Sequence, residues 1–380
     1  MKIIIAPDSF KESLTAAQAA NAIARGLQKH LPDAECVCVP MADGGEGTSD
    51  ALVNALGGEW VYVDVDDPLG RTIRARYGVL ANGTAVMEMA QAAGIHLLAP
   101  AERNPRLAST FGVGQMMKHA LQNGVRHIIL GIGGSATNDG GAGMAMALGY
   151  RLESADGKTL PRGGAALANL ARVDNSQVLP ELAECTIEVA CDVNNPLCGA
   201  NGASAIFGPQ KGADAQMVAE LDAALNHYAD VLTQAGFTDA REQAGSGAAG
   251  GLGFALRMLC HAELKSGVQI VMNANGLANH IQNADLVITG EGKMDGQTAC
   301  GKVPAGVLQT AQQHKVPVFA LCGALGDEAE KLNQAGFAAV LPILPNNAAL
   351  PDLLADAEQN LQRTAEQIGS ILALKLNKKA

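Results

Sequence analysis

Acids, lysines, hydroxyls and glycines gather at five places in this chain, each close behind a short apolar run. The first is DSFKES at 8–13, where Asp8 and Lys11 stand three residues apart ahead of a helix start. That pair could hold an acidic substrate or orient a phosphate; alternatively Ser13 or Thr15 caps the helix and Lys11 is solvated. The second is DGGEG at 43–47, with Asp43 and Glu46 among glycines, which suits metal or substrate binding as well as a plain turn. The third, GIGGSATNDGGAG at 131–143, follows the apolar run 128–130 and precedes a helical one. So many glycines beside Ser135, Thr137, Asn138 and Asp139 can turn backbone N–H groups towards an anion, and the positive end of the next helix adds to the pull. The fourth is CDVNNP at 191–196, where Asp192 could accept a hydroxyl proton, ligate Mg2+, or make a turn. The fifth, TGEGKMD at 289–295, again puts acids, Glu291 and Asp295, after a strand-like run.

Two further patterns lack the context their chemistry needs. GSGAAG at 245–250 has G-x-G-x-x-G spacing, but polar DAREQA precedes it where a dinucleotide site needs a strand. GQTACGK at 296–302 has P-loop spacing, but Val303 stands where a Mg2+-binding Ser or Thr belongs. The eight histidines are dispersed, with no H-x-x-x-H pair and no G-x-S-x-G, so metallohydrolase and serine hydrolase readings have no support. A net charge of -11, with no basic block beyond Lys378-Lys379, disfavours a nucleic-acid partner. The eight cysteines form no C-x-x-C, which argues for reduced core residues. The opening apolar run is too short for a signal peptide, and no stretch reaches the length of a membrane span. A cytoplasmic protein acting on a small molecule is expected.

The elements that must position these segments read as an α/β fold. Residues 3–6 and 35–40 are strands, each followed by a loop and a helix, and the TAAQ at 15–18 has capping-box spacing. From Trp60 the rhythm changes: 61–65, 73–79 and 85–89 are strands, and Asn82-Gly83 is a hairpin signal, so this stretch is antiparallel. Alternation of helix and strand resumes from 110 and runs to the helical stretch 350–374. With 380 residues, two domains are expected. Residues 1–65 and 280–380 form a discontinuous, Rossmann-like parallel-sheet domain; residues 66–279 form an inserted mixed α/β domain. The active site is expected in a cleft between them. Aromatics are only 3% of the chain and glycines number 44, so the core must be aliphatic and closely packed through backbone.

The strings IAPDSFKES at 5–13, PMADGGEGT at 40–48, GIGGSATNDGGAG at 131–143, DVNNPL at 192–197 and TGEGKMD at 289–295 together resemble the bacterial glycerate kinase family, in the same order and over essentially the whole chain. The resemblance implies ATP-dependent phosphorylation of D-glycerate, with 2-phosphoglycerate as the product of this branch and 3-phosphoglycerate as the alternative. It implies ATP and Mg2+ as cofactors. Phosphoryl transfer asks the protein for positioning and charge neutralisation, which agrees with the residues above. On that basis Asp192 is the candidate base, with Lys11 and Asp8 also catalytic. Asp43, Gly44, Gly45, Glu46 and Asn194 are expected at the substrate. Gly133, Gly134, Ser135, Thr137, Asn138, Asp139, Gly290 and Glu291 are expected at the nucleotide, and Asp295 and Glu291 at the metal. Roles within the acid set stay interchangeable at this level. A different class, a nicotinamide-dependent hydroxy-acid oxidoreductase, would rest on GSGAAG alone; a non-catalytic sensor would need an output module, and none is visible.

Overall fold

The computed structural model describes residues 1–43, 47–296, 298, 302–345 and 349–376. The chain divides into two compact units, residues 1–43 with 268–380, and residues 44–267.

In the first unit five parallel strands lie in the order Ala339–Pro342, Val318–Leu325, Leu286–Met294, Lys2–Pro7, Glu35–Cys38. Ile3 and Ile5 are fully buried against Leu286 and Ile288, the reason this short apolar opening forms a central strand. Register pairs Pro7 with Gly290, and the Asp8 N–H continues the ladder to the Gly290 carbonyl at 2.8 Å. The capping box forms as expected: Thr15 Oγ1 accepts from Gln18 N–H at 3.2 Å, and Gln18 Oε1 accepts from Thr15 N–H at 2.9 Å. The helix Ala16–Gln28 then buries alanines, Ile23 and Leu27 on one face. It lies against Ala357–Leu376 so closely that a Cβ on Gly26 would stand 2.2 Å from the Gln362 carbonyl. The helical stretch near the C-terminus is broken at Asp356, giving Leu350–Ala355 and Ala357–Leu376.

In the second unit six strands run Glu263–Lys265, Thr186–Ala190, His127–Gly131, Ala85–Glu88, Thr72–Leu80, Gly58–Asp66. The first four are mutually parallel, and the last two pair antiparallel. The Asn82-Gly83 turn makes the expected reversal, with Gly83 at φ 82° and Asn82 Oδ1 accepting from Thr84 N–H at 3.1 Å. A separate two-stranded ribbon joins Arg151–Glu153 to Arg172–Asp174. The core is aliphatic and rich in alanine and methionine, as the scarcity of aromatics requires. Among the described residues no helix is long and apolar enough to cross a membrane.

Gly26→Ala should lower stability by about 1–3 kcal/mol, because overpacking here meets backbone that cannot swing away. Urea unfolding checks it; an unchanged midpoint would mean the two helices separate at little cost.

Candidate active site

Each unit carries half of the candidate chemistry at the carboxyl ends of its parallel strands, where open α/β sheets bind ligands. In the first unit, strand register sets Asp8 beside Glu291, and the Met41 N–H to Pro7 carbonyl bond of 2.9 Å leads the chain on to Asp43. The Asp8 carboxyl is pushed up to about 7, first by burial; Ser9 N–H, donating at 2.6 Å, opposes, while the Asp43 and Glu291 charges add to the rise. Burial likewise raises Glu291, against the Thr298 hydroxyl, which donates to Oε1 at 2.6 Å, and against Lys302, whose Nζ lies 3.9 Å from Oε2. Asp295 is tied back locally: its N–H donates to Thr298 Oγ1 at 3.1 Å, and Lys293 Nζ is 3.7 Å from its carboxylate. Lys11 is exposed on the turn after Phe10, and Ser13 Oγ closes that turn on the Phe10 carbonyl at 2.9 Å, which leaves Thr15 as the helix cap. Gly290 sits inside its strand, where a Cβ would meet the Leu321 carbonyl at 2.1 Å; it is a close-packing glycine.

The Asp43 charge adds to the rise at both Asp8 and Glu291, and among the described residues no three His, Cys, Asp or Glu side chains form a metal-holding group. Gly44, Gly45 and Glu46 lie outside the described residues, as does part of the 296–302 segment.

In the second unit the loop 131–143 leaves the strand His127–Gly131. Its hydroxyl and acid side chains divide sharply. Gly133 and Gly134 are exposed and Ser135 is at 9% exposure, whereas Thr137, Asn138 and Asp139 are at 0%. The Asp139 carboxylate accepts from Thr110 N–H at 2.8 Å, Thr110 Oγ1 at 2.9 Å, and the N–H groups of Gly141 and Gly143 at 3.2 Å each. Burial raises its pKa in spite of those four donors. Asn138 Nδ2 donates to Ser204 Oγ at 2.8 Å. The N–H groups of Gly133, Gly134, Ser135, Thr137, Asn138 and Asp139 find no acceptor among the described residues. Between them the Ala136 N–H donates to the Ala93 carbonyl at 2.9 Å. Unpaired backbone amides of this kind can take an anion, and here Gly133 and Gly134 are exposed while Thr137, Asn138 and Asp139 back them from the core.

GSGAAG at 245–250 has a structural use. No strand precedes it, so the dinucleotide reading has no support. Gly250 lets its backbone press on the loop: the Gly140 N–H donates to the Gly250 carbonyl at 2.9 Å, and a Cβ on Gly250 would stand 2.0 Å from the Thr137 carbonyl. Gly247 does the same beside Pro196, at 2.2 Å. Asp192 and Asn194 are exposed just past the strand Thr186–Ala190, and one Asp192 oxygen accepts from Gly267 N–H at 3.2 Å.

Three residues escaped the sequence reading. Glu88, ending the strand Ala85–Glu88, is buried and its Oε1 accepts from Gly47 N–H, Ser49 N–H and Ser49 Oγ at 3.1, 2.9 and 2.7 Å. It occupies the N-terminus of the helix Thr48–Leu56; an acid closing an apolar run was the available signal. Lys211 is buried with its Nζ on the Thr137 carbonyl at 2.7 Å. Arg103 has its Nε shut from water with no acceptor among the described residues. Neither cation belongs to a motif that spacing could reveal.

The raised Asp8 pKa has a signed consequence for stability. The folded state holds this proton more tightly than the unfolded chain, so between the ordinary aspartate value of 3.8 and about 7 stability falls as pH rises. Asp8→Asn should therefore be more stable than wild type at about pH 8, with the gap closing towards about pH 4. Parallel stability curves for the two proteins would contradict the burial of this carboxyl.

The comparisons with known proteins agree with one another. A model of the glycerate kinase family matches residues 3–373. A glycerate kinase from Haemophilus influenzae is 49% identical over 99% of this chain and 100% of its own. The glycerate 2-kinase of Escherichia coli is 46% identical over 98% of each. The crystal structure of a glycerate kinase 2 from Salmonella typhimurium LT2 superposes with a TM-score of 0.91 at 45% identity, covering 100% of both chains. The chain belongs to the glycerate kinase family.

Proposed function

We propose that this protein transfers the γ-phosphoryl group of ATP to D-glycerate and releases 2-phospho-D-glycerate and ADP. The observation that carries the reading is the set of unpaired N–H groups at Gly133, Gly134 and Ser135, in a loop backed by the buried Asp139 carboxylate and its four donors. Neutral amides suit a triphosphate in a chain of net charge -11, because they draw an anion without needing acid partners of their own. In this account Gly133, Gly134 and Ser135 meet the nucleotide, while Thr137, Asn138 and Asp139 shape the loop behind them. Asp8, Asp43 and Glu291 supply carboxylates for a magnesium that would arrive with the nucleotide and offset the charge of its phosphates; Asp295 supports the Glu291 side through Thr298. Lys11, exposed at a strand end, and Asn194 are the groups proposed for the acid. Asp192, exposed on a rigid strand end, takes the proton of the attacking hydroxyl.

The regiochemistry follows from orientation. Anchoring the carboxylate sets which hydroxyl lies in line with the phosphate, and positioning can contribute roughly 7–11 kcal/mol, well beyond the intrinsic advantage of a primary alcohol. The Escherichia coli relative is named for the 2-position, which supports the same choice here. A coupled ADP-release assay with D-glycerate, followed by phosphorus NMR of the product, tests both points. Phosphorus on C2 couples to one proton and gives a doublet. A triplet would move the product to the 3-phosphate, and no ADP release with any small hydroxy acid would remove the kinase reading.

Asp192→Asn should fold normally and lose about 10²–10⁴-fold in kcat, the usual worth of a positioned base. A loss smaller than about tenfold would leave Asp192 as a turn residue.

A further inference from the structure

Among the described residues Lys211 is the one lysine or arginine that is buried, at 1% exposure. It ends the single 3-10 turn Pro209–Lys211, and Gly212 behind it packs on the Arg103 carbonyl, which a Cβ would approach to 2.5 Å. Keeping an ammonium there is costly. Burial pushes Lys211 down to about 7, with the Asp139 charge opposing. A methionine of similar length would fill the same space without that penalty, so packing alone does not account for the charge.

The ammonium bonds the Thr137 carbonyl at 2.7 Å, while the Asp139 oxygens take their four donors from Thr110, Gly141 and Gly143. In the loop it holds, Thr137 Oγ1 and Asn138 Oδ1 are buried without hydrogen-bond partners among the described residues. The Thr137–Asn138 peptide is trans, so a carbonyl drawn towards Lys211 turns the Asn138 N–H to the opposite side. That N–H is one of the unpaired amides of the loop. Asn138 is itself buried, so the lysine acts from behind, on the backbone that supports the exposed Gly133 and Gly134.

We propose that Lys211 is a positioning residue for the phosphate loop: its bond to the Thr137 carbonyl sets the direction of the loop's N–H groups, and its charge adds to their pull on a nucleoside di- or triphosphate. This rests on the assignment of the 133–139 loop to the nucleotide made above. Binding an anion on the loop favours the ammonium, so nucleotide binding draws a proton to Lys211. The charged group acting on it is Asp139 from the loop; Tyr228, from the helix Ala215–Gln234, faces Asp139, Ser204 bonds Asn138, and Gly250 packs on Thr137.

Calorimetric titration with ADP of wild type, Lys211→Met and Gly134→Ala tests this. Gly134 stands at φ +70°, which an alanine tolerates poorly, so that variant probes the loop itself. Lys211→Met should bind ADP about 10–100-fold more weakly, the equivalent of one charge-assisted hydrogen bond, with KM for glycerate unchanged. Its melting temperature at about pH 8 should not fall, because the cost of burying the amine goes together with its bond to Thr137. In wild type, titrations at about pH 8 in buffers of different ionisation enthalpy should show proton uptake on binding, and the methionine variant should not. If Gly134→Ala weakens ADP and Lys211→Met does not, the proposal is wrong and the loop assignment stands. If neither variant weakens ADP, the loop assignment fails and takes the proposal with it. Should Lys211→Met not fold, the wild-type buffer series decides alone: absence of proton uptake overturns the proposal.

Discussion

The second unit turns on one buried carboxylate. Asp139 sits at 0% exposure and gathers donors from three places: Thr110 at the start of the helix Phe111–Gln122, Gly141 in its own loop, and Gly143 at the start of Ala142–Ala147. A carboxylate in such surroundings is tolerated only when its lone pairs are met, and here four N–H and O–H groups meet them. The consequence reaches past Asp139. The side chain is buried with its donors, and Gly133 and Gly134 ahead of it are exposed with N–H groups that find no acceptor among the described residues. Gly143 has no room for a side chain, since a Cβ would stand 2.2 Å from Ser109 Oγ. Gly250 presses on the loop from the other flank, where any Cβ would strike the Thr137 carbonyl. Rigid backing and open amides are one arrangement seen from two sides.

The first unit solves an opposite electrostatic problem. Asp8, Asp43 and Glu291 stand near one another, and Asp8 holds its proton far above the ordinary carboxylate range, chiefly because it is buried and in part because of the Asp43 and Glu291 charges. Such a set is least stable when nothing is bound and gains most when positive charge arrives. Amides that attract anions and acids that attract cations are the two requirements of phosphoryl transfer from a metal-bound nucleotide. Folding energy is held back at both places, as functional sites commonly require.

Much of this could be read from the residues alone, where the signal was local. The Thr15–Gln18 capping box, the Asn82-Gly83 hairpin and the strand ends ahead of Asp8 and Asp192 depend on neighbours within a few residues, and they stand where spacing puts them; Glu291, expected after its strand, instead lies inside Leu286–Met294 and pairs with Cys322. The inside of the 131–143 loop was not legible. Ser135, Thr137, Asn138 and Asp139 look alike in a glycine-rich string, yet their directions are decided by Thr110, 29 residues upstream, Ser204, 66 residues downstream, and Lys211, 74 residues from Thr137. Glu88 was missed for the same reason: its partners Gly47 and Ser49 belong to the helix that precedes its own sheet strands. Periodicity gives a residue's element; only long-range partners give its orientation.

The central claim is that the loop amides of Gly133, Gly134 and Ser135 are the phosphate contacts. Backbone 1H–15N shifts of Gly133, Gly134, Ser135, Thr137 and Asn138, recorded on adding ADP and separately on adding D-glycerate, test it most directly. The account predicts large downfield proton shifts at Gly134 and Ser135 with ADP, as free N–H groups acquire phosphate acceptors, and small changes with glycerate. Shifts with glycerate alone, or none with ADP, would contradict it.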